Sequence, residues 1–135
     1  FIEFKESSSN PGRGWIMVRA TELTPRALIT AMENGDFYAT TGVALSELDF
    51  KNNKLNVKVK PEHGVEYVIQ FWGANKSAKE SKGSLLKEVK GTNASCDVKK
   101  DHLYVRAKII STKQKENPYK EGDVETAWTQ PVQRR

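Results

Sequence analysis

Chemistry in a protein starts from its nucleophiles, acids, bases and metal ligands, and this chain offers few that stand together. It has two histidines, His63 and His102, and one cysteine, Cys96. A zinc site draws three or four convergent ligands from such residues, and no HxH, CxxC or HExxH spacing is present. Both histidines fall in segments that read as turns, Pro61-Glu62-His63-Gly64 and Lys99-Lys100-Asp101-His102, where exposure is the expectation. Cys96 has no partner for an internal disulfide, and within Ala94-Ser95-Cys96-Asp97-Val98 it reads as a small buried hydrophobe on a strand. No GxSxG, P-loop or GxGxxG occurs. Asp97, Asp101 and Asp123 would hold a hard cation only if folding gathered them, and no carboxylate pair stands out for acid–base work. The residues therefore predict no catalytic, cofactor-binding or metal-binding group in this chain.

Weaker candidates remain for binding. Arg13 lies in Asn10-Pro11-Gly12-Arg13-Gly14, a loose turn that could cradle an anion. Thr40 and Thr41 end a β-prone run and could offer hydroxyls to a ligand at the strand. Trp72, Tyr119 and Trp128 are candidates for an interface or a ligand-facing edge, where an exposed indole could stack on a sugar. The net charge is +5, from 22 basic and 17 acidic residues. The lysines are dispersed, with loop clusters at Lys76, Lys79, Lys82 and at Lys113, Lys115, Lys120. Nucleic-acid recognition wants a patch with interleaved aromatics. Scattered lysines read instead as solvated faces and guarded sheet edges, so no nucleic-acid partner is expected. No apolar run reaches membrane-spanning length, and no membrane partner is expected. Phe1 to Pro11 lacks a signal-peptide pattern. The chain has no initiator Met, so the gene product is expected to begin upstream.

Few elements are available to position these residues. Thr24 suits a helix N-cap and Pro25 the first helical position. Leu28, Ala31, Met32 and Gly35 recur at helical spacing, with Gly35 at the left-handed position that ends a helix. Trp15-Ile16-Met17-Val18 before it and Phe37 to Thr41 after it read as strands. After Gly42 the period becomes two. Val43, Leu45, Leu48 and Phe50 point inward, Lys51-Asn52-Asn53-Lys54 turns, and Leu55, Val57 and Val59 answer as a hairpin. Val65, Tyr67, Ile69 and Phe71 share one face of the next strand, with Val68 and Trp72 on the other. Further strands are expected at Leu85 to Val89 and Ala94 to Val98. Another carries Leu103, Val105, Ala107 and Ile109 inward, and the last runs from Val124 to Val132. About seven strands with turn signals every 8–12 residues predict an antiparallel, immunoglobulin-like β-sandwich. The expected division is residues 1–42, one strand, one short α-helix and a connector, followed by the sandwich at 43–135.

Three stretches carry a family resemblance. They are Asn10-Pro11-Gly12-Arg13-Gly14-Trp15-Ile16-Met17-Val18-Arg19-Ala20 with Leu23-Thr24-Pro25, then Ala31-Met32-Glu33-Asn34-Gly35-Asp36-Phe37-Tyr38-Ala39-Thr40-Thr41-Gly42, and finally Asn117-Pro118-Tyr119, Glu121-Gly122-Asp123 and Ala127-Trp128-Thr129-Gln130-Pro131. Together they resemble the C-terminal portion of secreted-type bacterial PHP-domain metal-dependent phosphoesterases (the polymerase and histidinol phosphatase family). The resemblance implies a distorted barrel upstream that binds divalent metals through His and carboxylate motifs, none of which matches a position here. It implies that residues 1–42 are the tail of that barrel and that the rest is an accessory sandwich. It also implies an extracytoplasmic location.

Together these readings predict a non-catalytic module that scaffolds or caps the barrel of the same polypeptide. Leu28, Ala31 and Met32 would dock to the sheet, or the N-terminal strand and helix would join a second copy. Two alternatives are a fragment retaining part of a phosphatase site, with Arg13 and Thr40 or Thr41 on phosphate, and a carbohydrate-binding sandwich using Trp72 or Trp128.

Overall fold

The structure, a computed structural model, describes residues 10–77 and 83–135. Lys79 and Lys82 of the first lysine cluster lie outside the described residues. The elements are β1 (Trp15–Val18), α1 (Pro25–Glu33), β2 (Phe37–Thr40), β3 (Leu45–Lys51), β4 (Lys54–Val59), β5 (Tyr67–Asn75), β6 (Ser84–Lys90), β7 (Asn93–Asp97), β8 (His102–Gln114) and β9 (Val124–Thr129).

The helix begins and ends as its sequence dictates. Thr24 Oγ1 accepts from the Ala27 amide at 3.3 Å, and Pro25 follows, where no amide is needed. Gly35 takes φ +75°. Its amide donates to Met32 O at 3.1 Å and the Asp36 amide donates to Ala31 O at 2.8 Å. These two bonds form a Schellman closure and turn the chain into β2. Only part of the expected apolar stripe is covered. Ala31 is buried and Leu28 is half-buried, but Met32 is 38% exposed and does not dock to the sheet. The helix touches β1 and turns its remaining apolar residues outward.

The strands form two antiparallel sheets, one of six strands in the order β1-β2-β9-β8-β5-β6 and one of three in the order β3-β4-β7. Strands β3 to β9 alone divide as β3-β4-β7 against β9-β8-β5-β6, the sheet switching of an immunoglobulin-like sandwich. Strands β1 and β2 then extend the larger sheet beyond β9, with Tyr38 opposite Thr129 and Thr40 opposite Ala127. The expected division at residue 42 falls in the crossover from β2 to β3, so residues 15–40 share a sheet with the strands that follow.

The core lies between the sheets. Leu55, Val57 and Val59 of the small sheet face Ile69, Phe71, Val105, Ala107 and Ile109 of the large one, and Tyr38, Val43, Val98 and Ala127 close its sides. Each large apolar side chain so buried contributes roughly 1.5–3 kcal/mol. Asn52 and Asn53 both adopt positive φ, +52° and +57°, which is the conformation a two-residue hairpin between β3 and β4 requires. A bulge between Leu45 and Glu47 shifts the inward set of β3, so Leu45, Leu48 and Phe50 all reach the core.

A second bulge corrects the reading of β8. The register skips between Ala74 and Asn75, pairing Ala74 with Tyr104 and Asn75 with His102. Leu103 is therefore 43% exposed, and His102, expected in an exposed turn, is buried at the head of the strand. Its Nδ1 accepts from the Lys99 amide at 3.2 Å. The last strand also stops earlier than its hydrophobicity suggests, at Thr129, because Pro131 has no amide to continue the ladder. Val132 returns as an isolated bridge to Val105.

Candidate functional site

The crossover out of β2 holds the two candidate hydroxyls. Thr40 Oγ1 donates to Val43 O at 2.7 Å and accepts from the Gly42 amide at 3.0 Å. Thr41 Oγ1 accepts from the Thr126 amide at 2.9 Å. These bonds pin the chain as it changes sheets. Beneath them Glu125 is buried, with its carboxylate against Gly42 and 3.5 Å from Lys113 Nζ. Lys113 also donates to Glu62 Oε2 at 2.8 Å. That bond, ahead of the nearby Glu125 charge, raises the Lys113 ammonium above its usual range.

The outer face of the six-stranded sheet holds Trp72 and Trp128. One row of cross-strand partners runs Ile16, Ala39, Trp128, Lys108, Gln70, Glu88. Arg106 Cζ stands 4.6 Å and Lys108 Nζ 4.9 Å from the Trp128 ring centroid, both in cation–π range. Trp72 sits opposite Arg106, and its indole N–H donates to Gln70 Oε1 at 3.0 Å. Gln70 in turn donates to Glu88 at 2.7 Å. Beside Trp128 lies an open hollow of about 350 Å³, lined by Gly14, Trp15, Ile16, Ala39, Thr40, Thr41 and Thr126.

Arg13 and Tyr119, far apart in sequence, also meet. The guanidinium lies 5.5 Å from the Tyr119 ring centroid, and Arg13 Nε donates to Asn117 Oδ1 at 3.3 Å. Asn117 Nδ2 donates to Pro11 O at 3.4 Å, so the closing loop grips the N-terminal turn. Of the six candidate contact residues, Thr40, Thr41 and Trp128 thus share the hollow, Arg13 pairs with Tyr119, and Trp72 stands on the same face as Trp128 with Arg106 between. Arg106 and Lys108 were visible in the sequence only as the outward residues of an alternating strand. What gives them a role is the register that sets them against Trp128.

A second cleft, of about 370 Å³, opens between the sheets where β1 and β2 overhang β3. Met17, Tyr38, Leu45, Leu48 and Phe50 line it with Asp36, Glu47 and Asp49. Arg19 Nη2 donates to Leu48 O across its mouth, and Tyr38 Oη accepts from the Leu45 amide at 3.0 Å. The Asn56 side chain donates to Asp49 at 2.8 Å and lowers that carboxyl below its usual range.

Cys96 is a free, buried thiol whose desolvation raises its pKa. Among the described residues no three His, Cys, Asp or Glu side chains converge on a metal position. Asp97 pairs with Lys54 at 3.6 Å and Asp123 with Lys115 at 3.9 Å. No helix among the described residues is long and apolar enough to cross a membrane. Compared with known proteins, the chain matches no family model, no curated protein and no solved structure.

Proposed function

We propose that this chain is a non-catalytic β-sandwich module that docks on another domain of its own polypeptide through β1 and α1. The partner is the metal-dependent PHP-type barrel that the sequence resemblance implies before residue 1, and the module scaffolds or caps it. One observation carries the reading. Nine large apolar residues are exposed among the described ones, and six of them, Trp15, Ile16, Met17, Leu23, Ile29 and Met32, fall between residues 15 and 32. Scattered apolar residues on a surface mean little, whereas a concentration of them marks a contact. Among the described residues β1 is also an edge strand, with no neighbour on its outer side, which is where a partner strand can add. Any divalent metals and phosphoesterase chemistry then belong to the barrel.

Hydrogen exchange on two polypeptides tests this, one the present 135 residues and one continuing upstream through the barrel. Residues 15–32 are expected to exchange readily in the short chain and to be protected in the long one. Equal exchange in both, or metal-dependent phosphatase activity from the short chain, would overturn the proposal.

A further inference from the structure

The row Ile16, Ala39, Trp128, Lys108 places an apolar hollow next to two cations. Trp128, Arg106 and Lys108 stand on β8 and β9, but Ile16 belongs to β1, so this inference rests on the outer face of β1 staying open when the module docks as proposed above. Arg106 and Lys108 both lie over the Trp128 ring, at 4.6 Å and 4.9 Å. Among the described residues no ion pair engages either cation. Glu88, the carboxylate on the same row, accepts instead from Gln70. Both cations stand against the one indole, which does not neutralise them. Their positive charge is unanswered within the described fold.

We propose that this face binds an acidic peptide segment, seating one apolar side chain in the hollow between Ile16, Ala39 and Trp128 and its carboxylates on Arg106 and Lys108. Ala39 and Lys108 are separated by two strand spacings, roughly 10 Å, which is about the reach of three residues of extended chain. A peptide can therefore satisfy both halves with an apolar residue and an acidic one three positions apart. A sugar fits less well, because it needs several hydrogen-bonding groups and the Thr41 hydroxyl in the hollow already bonds Thr126. A nucleobase needs an open ring to stack on, and the Trp128 ring is covered by the two cations.

The test uses the 135-residue chain and a fluorescein-labelled peptide of about ten residues, carrying one leucine three positions before a pair of glutamates. At low salt its anisotropy is expected to rise and saturate. Replacing both glutamates by lysine abolishes binding. Replacing the leucine by serine, or making Arg106→Gln with Lys108→Gln, weakens it roughly tenfold, the sum of a few weak surface terms. If the double variant does not fold, the lysine peptide alone decides. Equal binding of the acidic and lysine peptides, or unchanged affinity in the folded double variant, overturns the proposal. So does displacement of the peptide by a thymidine oligonucleotide or an oligogalacturonate at lower concentration, which would assign the face to that ligand class.

Discussion

A β-carbon placed on Gly42 would lie 2.1 Å from the carboxyl carbon of Glu125. The chain changes sheets where a buried carboxylate leaves no room for a side chain, and the backbone there holds φ +152°. Gly42→Ala is expected to destabilise the domain by about 2–4 kcal/mol, from overpacking and a conformation that alanine rarely adopts. Thermal unfolding measures this. A second substitution, Glu125→Ser, should recover part of the loss by opening space, so the two changes should be strongly non-additive. Additive losses would mean that the carboxylate moves aside freely.

The ion pairs above this point have a definite pH signature. The Lys113 ammonium is raised above the usual lysine value of 10.5, first by its hydrogen bond to Glu62. A raised pKa in the folded state means the contribution is complete below the unfolded value and is lost as pH rises through the folded one. The melting-temperature difference between wild type and Lys113→Met should therefore be flat from neutral pH to about 10, then shrink on further alkalinisation. The lysine side chain is 35% exposed, so the difference should also shrink in high salt. A difference that vanishes near neutral pH would assign the effect to another group.

Bulges decide which neighbouring residues of β8 matter. Ile109 is fully buried, and Ile109→Ala should cost about 2–5 kcal/mol by transfer and cavity terms. Leu103, turned outward by the register skip, should tolerate alanine with a change within about 0.5 kcal/mol. Denaturant midpoints of the two variants check this directly. A large loss at Leu103 would mean that the strand runs in the unbulged register.

These residues also show how far the sequence can be read. Alternation along β4, β5 and the middle of β8 marked the core correctly, because a half-buried strand must repeat every second residue. The helix was legible from Thr24, Pro25 and Gly35, since caps are local chemistry. The inward set Val43, Leu45, Leu48 and Phe50 was legible too. Leu103 and His102 were not, because a bulge inserts one residue and its position depends on the partner strand. Met32 was misplaced because helical spacing identifies a stripe without saying how wide a surface waits to receive it. The outer-face site was half legible. Trp128 drew notice by type, but Arg106 and Lys108 acquire their meaning from pairing across β8 and β9. The contact of Arg13 with Tyr119 joins the two ends of the chain, and no local pattern encodes it.

The exposed apolar residues of β1 and α1 give the last prediction. Leu23 is 90% exposed and Ile29 52%, so neither is held by the sandwich. Leu23→Lys with Ile29→Lys should leave the melting temperature almost unchanged, because surface substitutions away from structural features shift stability by only about 0.5 kcal/mol. The same pair should reduce binding of an apolar dye such as ANS and reduce any concentration-dependent self-association seen by sedimentation. Removing exposed apolar area weakens association without touching the core. A large fall in melting temperature would instead mean that these side chains are part of the module's own packing, and the face would no longer be available to a partner.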